Sequence, residues 1–208
     1  MNDVTDVGSG SVGIAPYLRR PITGVDANMG KAVHPLLTPV DSSVLETPFA
    51  DRSRPCVISV DMLEHLPPNL RQQAVDELVR IAGRLLVLAV PSGPAAEAHD
   101  REAADAFRAA RAADFRYLTE HVENGLPTPA QLKGYLRAAV EKLGREATIT
   151  LVPNANLRMR AFITRRWVRR AMIDKAAWVA LTWLSPLLAR VNWGVTYRQI
   201  GVVRFSDG

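Results

Sequence analysis

The chemistry most easily read in this 208-residue chain lies in Asp6-Val7-Gly8-Ser9-Gly10-Ser11-Val12-Gly13. Glycines in such a run let the backbone turn sharply and let a ligand approach without a Cβ in the way. A helix following the turn would aim its unpaired N–H groups at the ligand. Asp26 comes 18 residues after Gly8, at the end of a second apolar run. A carboxylate there can accept hydrogen bonds from both hydroxyls of a ribose. Gly8, Gly10 and Asp26 together therefore read as a nucleoside site. The same residues, with Gly13, also fit the fingerprint of NAD-binding proteins, and a bare strand-to-helix turn would use glycines too.

The elements that must position these residues alternate in the βαβ manner. Asn2 to Val7 reads as a strand and Gly8 to Leu18 as its turn and helix. Ile22 to Val25 is a second strand, and the proline-broken segment 30–46 holds at most a short third one near Leu36. Cys56 to Val60 is a continuous apolar run suited to a sheet covered on both faces. Leu70, Ala74, Leu78 and Ile81 sit at helical spacing, Gly83 is expected to stop that helix, and Arg84 to Val90 is again strand. Pro94 to Ala113 and Pro129 to Leu143 read as helices, and Ala147 to Val152 and Tyr197 to Phe205 as the last two strands. The expected fold is an α/β Rossmann-like three-layer sandwich, with a mostly parallel sheet and an antiparallel C-terminal strand. We expect one domain over 1–208, with helical insertions at about 94–128 and 158–191.

Two further stretches choose between the ligands. Thr47-Pro48-Phe49-Ala50-Asp51-Arg52-Ser53, then Cys56 to Val60 leading into Asp61-Met62-Leu63-Glu64-His65-Leu66-Pro67, complete a pattern begun by the glycine turn. The set resembles the class I S-adenosylmethionine-dependent methyltransferases, nearest the type 11 group that includes quinone and other small-molecule methylases. The likeness covers Val4 to Gly93 in motif and the remainder in element order only. It implies S-adenosylmethionine as cofactor. Asp6, Gly8, Ser9 and Gly10 would face its methionine end, with Gly13 serving the turn. Asp26 would hold the ribose, with Ala27 beside the adenine; Ser43 and Val44 fall about where the family contacts the adenine ring, with Asp41 the near alternative, and Asp61 and Met62 would border the sulfonium. Three departures stand out: Val12 where many relatives place the third glycine, Arg54-Pro55 in place of Phe-Asp, and only five residues before Asp6. The last makes the expected fold N-terminally truncated, without the helices that cover the cofactor in relatives.

Methyl transfer from a sulfonium needs alignment of the acceptor and somewhere for its proton to go. His65, after the fourth strand, is one candidate base. His121, in an expected polar loop Tyr117 to Pro127, is the other; relatives often carry a similar Glu-His-x-x-x-Gly-Leu-Pro stretch. Packing and loop-ordering roles are the alternatives for each. No spacing of His, Cys, Asp and Glu suggests a metal site, and the single cysteine, Cys56, excludes an internal disulfide.

The net charge is only +5, yet Arg158, Arg160, Arg165, Arg166, Arg169 and Arg170 crowd into one segment. Trp167, Trp178, Trp183 and Trp193 follow among apolar residues. Arginine with tryptophan suits a bilayer interface, so 158–193 reads either as a peripheral membrane contact or as a lid or homodimer face. Nucleic acid is not expected, because the tryptophans lie among aliphatics. No signal peptide is read at the start, and the run 176–189 is too short to span a bilayer. The location expected is cytoplasmic, with contact at the inner membrane face as an addition. The expected activity is methyl transfer to a small-molecule or lipid-linked acceptor, at oxygen first and carbon second. An inactive cofactor-binding protein of the same fold, and an NAD-dependent oxidoreductase, are the alternatives.

Overall fold

The structure, a computed structural model, describes residues 3–30, 33–169 and 192–206. Strands β1 (Val4–Val7), β2 (Ile22–Asp26), β3 (Leu37–Asp41), β4 (Arg54–Val60), β5 (Ala82–Pro91), β6 (Ala147–Asn156) and β7 (Thr196–Phe205) form one sheet of order β3-β2-β1-β4-β5-β7-β6. Pairing is parallel from β3 through β5, with Thr5 opposite both Thr23 and Val57. At the other end Ser206 N–H donates to Glu146 O, and Leu157 N–H donates to Val195 O. The end of one strand thus meets the start of the other, so β7 runs antiparallel to β6, as expected. Helices are α1 (Ala15–Leu18), α2 (Arg71–Ile81), α3 (Pro94–Arg111), α4 (Arg116–Asn124), α5 (Pro129–Lys142) and α6 (Leu157–Arg169).

The chain separates into two compact units, 1–90 with 130–152 and 200–208, and 91–129 with 153–199. The first holds the sheet's main core. Val7, Val25 and Val57 from the strands, Val75, Leu78 and Val79 of α2, Leu86 and Leu88 of β5, and Leu132 and Leu136 of α5 share one buried cluster. β4 and β5 are apolar on both faces because helices cover both, which is why their sequence lacks strict alternation. Cys56 is buried with Val4, Ile22 and Leu37, and burial raises its thiol pKa; it packs as a small hydrophobe. The described parts of both expected insertions fall in the second unit; the rest of 158–191, from 170 onward, lies outside the described residues.

Gly83 does not end a helix. α2 stops at Ile81, Ala82 is already extended at ψ 123°, and β5 begins with no intervening loop. Gly83 is needed for a different reason: a Cβ there would lie 2.8 Å from the carbonyl oxygen of Arg52. The carbonyls left at this abrupt junction are capped by Arg145. Its buried guanidinium donates to the oxygens of Val79, Ala82 and Gly83 and lies 3.6 Å over the Phe205 ring.

The Thr47-Pro48-Phe49-Ala50-Asp51 stretch anchors the loop before β4. Thr47 donates through N–H and hydroxyl to Glu77 Oε1 at 2.7 and 2.6 Å, and Arg80 bridges Glu77 and Asp51. The arginine departure at position 54 is structurally absorbed. Arg54 donates to the Thr5 and Thr23 hydroxyls and to Asp3, and stacks 4.6 Å from the Phe49 ring.

Candidate functional site

β1, β2 and β4 are neighbours, and strand order reverses between β1 and β4. Open parallel sheets bind ligands at the carboxyl ends of strands beside such a reversal. Asp6 to Gly13, Asp26 to Asn28, and Asp61 to His65 all lie there, at the carboxyl ends of these three strands and on the loops that leave them. Ser43 and Val44 follow β3; Ser43 is exposed, and Val44 packs against the core.

The glycine loop is more tightly tied than a simple turn. Gly8 and Ser9 donate their N–H groups to Val25 O at 2.8 and 3.2 Å, and Gly13 donates to Ser9 O at 2.9 Å. Gly10 N–H reaches Asp26 Oδ2 at 2.9 Å, and Ile14 N–H reaches Asp6 Oδ2 at 2.9 Å. The helix that follows is a single turn, Ala15 to Leu18. Five loop N–H groups are therefore spent on the protein itself. A dinucleotide's pyrophosphate depends on such donors at a helix N-terminus, so this loop is poorly equipped to take it.

What the loop leaves open is specific. Gly8 has φ +80°, and a Cβ on it would collide with the Met62 side chain, so a bare residue 8 lets the loops leaving β1 and β4 pack together. Gly10 has φ +53°, and a Cβ there would meet nothing within 4 Å. Its missing side chain therefore faces unoccupied space directly beside Asp26. The half-buried Asp26 carboxylate is held from both ends, by Gly10 N–H on Oδ2 and by Asn28 N–H on Oδ1 at 2.7 Å. Each oxygen keeps a further lone pair for a donor. Asp61 sits at φ +52°, an uncommon conformation for a residue with a side chain, and Met62 behind it is buried.

Asp6 is 2 % exposed. Burial pushes its carboxyl from 3.8 up to about 6, Ile14 N–H opposes the rise, and the Asp26 charge adds to it. A carboxyl raised in the folded state contributes stability that is complete below about pH 3.8 and lost as pH rises through about 6. The loss is about 3 kcal/mol at most. Asp6→Asn should therefore melt higher than the parent near about pH 7.5, and the gap should close by about pH 4 in thermal denaturation. A gap that persists or widens in acid would contradict the burial argument.

In the second unit His121 is buried on α4, not in a loop: Gly125, Leu126 and Pro127 mark where the helix ends. Its Nδ1 pairs with Asp100 Oδ2 at 2.7 Å, and the Tyr197 hydroxyl donates to the same oxygen at 2.8 Å. Neither Asp100 nor Tyr197 was singled out by the sequence. Asp100 lies in an alanine-rich charged helix and Tyr197 is 97 positions away, so only the fold joins them. His65 is half-buried in the turn after β4, its N–H donating to Met62 O at 3.1 Å.

The sheet order, the antiparallel β7 between β5 and β6, and loops gathered at the β1/β4 reversal define a Rossmann-like methyltransferase fold. Residues 5–85 match the family model described as a methyltransferase domain. Residues 5–85 are thus similar to a methyltransferase domain, and S-adenosylmethionine is the cofactor which that likeness supports. Comparison with curated proteins found no match. Among solved structures, one similar chain is from the complex of the Haloferax volcanii Trm112 methyltransferase activator with a methyltransferase. It has TM-score 0.56 and 16 % identity, over 98 % of this chain and 81 % of that one. Phosphoethanolamine N-methyltransferase 2 of Haemonchus contortus, solved with S-adenosylhomocysteine, has TM-score 0.56 and 16 % identity over 98 % of this chain and 48 % of that one. The cyclase SpnF has TM-score 0.54 and 15 % identity over 99 % of this chain and 76 % of that one. At these identities the likeness shows the fold, and the presence of a cyclase illustrates why it does not fix the reaction.

The cofactor suits the residues present. The space at Gly10, the carboxylate of Asp26 and the buried Asp6 offer room, acceptors for ribose hydroxyls, and a negative group for an ammonium.

Proposed function

We propose that this chain transfers a methyl group to a hydroxyl oxygen of a small-molecule or lipid-linked acceptor, with the cofactor lying against the Gly8–Gly13 loop. The observation that carries the reading is Asp26, fixed by two backbone donors beside the open space at Gly10. In this reading Asp26 accepts the two ribose hydroxyls, with Ala27 beside the adenine and Ser43 and Val44 near its far edge. Asp6, Gly8 and Ser9 receive the amino-acid end, where the Asp6 carboxylate meets the ammonium. Asp61 and Met62 border the sulfur. When bound, S-adenosylmethionine supplies a methyl on a sulfonium, a ready electrophile whose carbon–sulfur electron pair departs with sulfur. The chain's own work is orientation and removal of the acceptor's proton.

Two histidines suit that proton. His65 lies in the turn continuous with Asp61 and Met62. His121 is oriented by Asp100 in the way a carboxylate commonly orients a general base: pairing at Nδ1 leaves Nε2 as the proton-accepting nitrogen. An oxygen acceptor fits this equipment better than carbon, because a hydroxyl has a proton for a histidine to take.

The test is incubation with methyl-labelled S-adenosylmethionine and separate panels of phenols, carboxylic acids and hydroxylated lipids. Labelled product should appear with one panel. The base should be revealed by a loss of about 100-fold or more in kcat on His→Gln at 65 or 121, with S-adenosylhomocysteine affinity retained. Cofactor binding with no transfer to any panel would favour the inactive, cofactor-binding alternative.

A further inference from the structure

The second unit carries a surface that the methyl-transfer reading does not use. Helix α6, Leu157 to Arg169, has the sequence LRMRAFITRRWVR, with five arginines and no carboxylate. One side of it is committed to protein. Trp167 stacks on Phe107 and Phe115 with ring centroids 5.3 and 5.0 Å apart, and the Arg160 guanidinium lies 3.7 Å over Tyr197. The opposite side presents Arg158, Phe162 and Arg165, spaced i, i+4 and i+7 and all exposed. Phe162 is 48 % exposed, and Arg158 and Arg165 form no ion pair among the described residues. Asn156 holds the neighbouring loop by donating Nδ2 to Trp193 O at 2.7 Å, and there Trp193 and Val195 are 74 % and 60 % exposed. Between helix and loop runs an open groove of about 620 Å³, walled chiefly by Met159, Phe162, Trp193 and Val195, with Arg158 at its rim.

We infer that this face docks on an anionic lipid surface, the groove receiving the apolar region below the headgroups while Arg158 and Arg165 meet the phosphates. Charge and apolarity point to one occupant. Phosphate beside hydrocarbon is what cations flanking indole and phenyl rings complement, and the depth reached is that of the headgroup boundary. A second copy of the chain fits poorly. A two-fold contact through this face would bring the arginines of one α6 against those of the other, and α6 has no carboxylate to meet them. RNA fits poorly as well, since the groove walls are aliphatic as much as aromatic and offer few polar groups to a base edge. Among the described residues no helix is long and apolar enough to cross a membrane.

The inference does not rest on the methyl-transfer reading, and its test needs no turnover. The full chain is sedimented with vesicles of phosphatidylcholine alone, or of phosphatidylcholine with one-third phosphatidylglycerol. Binding should be at least tenfold stronger to the anionic vesicles and should weaken as salt rises. The double variant Arg158→Glu/Arg165→Glu should lose roughly 25-fold or more, each arginine near an anionic surface counting for about fivefold. Trp193→Ser should weaken binding while leaving the salt dependence unchanged. Unaltered melting temperature and unaltered S-adenosylhomocysteine affinity show that the variants remain folded. Three results would overturn the inference: equal sedimentation of parent and double variant, displacement of vesicles by a short RNA at lower concentration than by free lipid, or a solution dimer that the double variant dissolves.

Discussion

Replacing Asp26 by alanine should abolish measurable cofactor binding at concentrations that saturate the parent, with Kd for S-adenosylhomocysteine raised about 100-fold or more. The magnitude follows from two charge-assisted hydrogen bonds to ribose, each worth about 1.5–3 kcal/mol net. Each 1.4 kcal/mol is about tenfold in affinity. Asp26→Asn separates charge from geometry: the amide oxygen can still accept, but its nitrogen cannot, so a loss of about tenfold is expected. The fold should tolerate both changes, because the Gly10 and Asn28 N–H groups can turn to water where the carboxylate is only half-buried. The cost should resemble that of a lost helix cap, about 1 kcal/mol. Isothermal titration with parallel thermal melts makes the comparison. Undiminished affinity in Asp26→Ala would remove the ribose contact from the account.

The second large effect contrasts two glycines that look equivalent in the sequence. Gly8→Ala should destabilise the protein by about 2–4 kcal/mol, combining left-handed backbone strain with overpacking against Met62. Adding Met62→Ala should recover part of that loss by removing the collision while the strain at φ +80° persists. Gly10→Ala should behave differently. Its Cβ meets no protein atom, so melting should fall only by the backbone strain, about 1–2 kcal/mol, while the methyl group intrudes on the ligand's space. Gly8→Ala is thus chiefly a stability lesion and Gly10→Ala chiefly a binding lesion. A Gly10→Ala protein that binds S-adenosylhomocysteine normally would mean that the open space there is not the cofactor's.

The parts of this site visible in the sequence are those fixed by backbone geometry. Gly8 and Gly10 advertise positive φ, Asp26 ends an apolar run, and Asp61-Met62 closes another, so local patterning places all four near one edge. The sequence places His121 in a loop because Gly125 and Pro127 punctuate so strongly, yet they terminate a helix that carries the histidine on its last turn. Gly83 misled for a similar reason, since a glycine after a helical run suggests a cap, whereas this one yields room to Arg52. The Asp100–His121–Tyr197 cluster could not be read at all: its members come from two helices and a strand distant in the chain. Arg54 is the converse case. It departs from the resembled pattern, and the fold gives it three side-chain acceptors and an aromatic face.

The most direct trial is a crystal structure of the full chain soaked with S-adenosylhomocysteine. The account requires both ribose hydroxyls within hydrogen-bonding reach of Asp26 and the amino-acid portion running past Gly10 toward Asp6. A ligand-free crevice at saturating concentration, or the nucleoside bound elsewhere with its sugar away from Asp26, would contradict it.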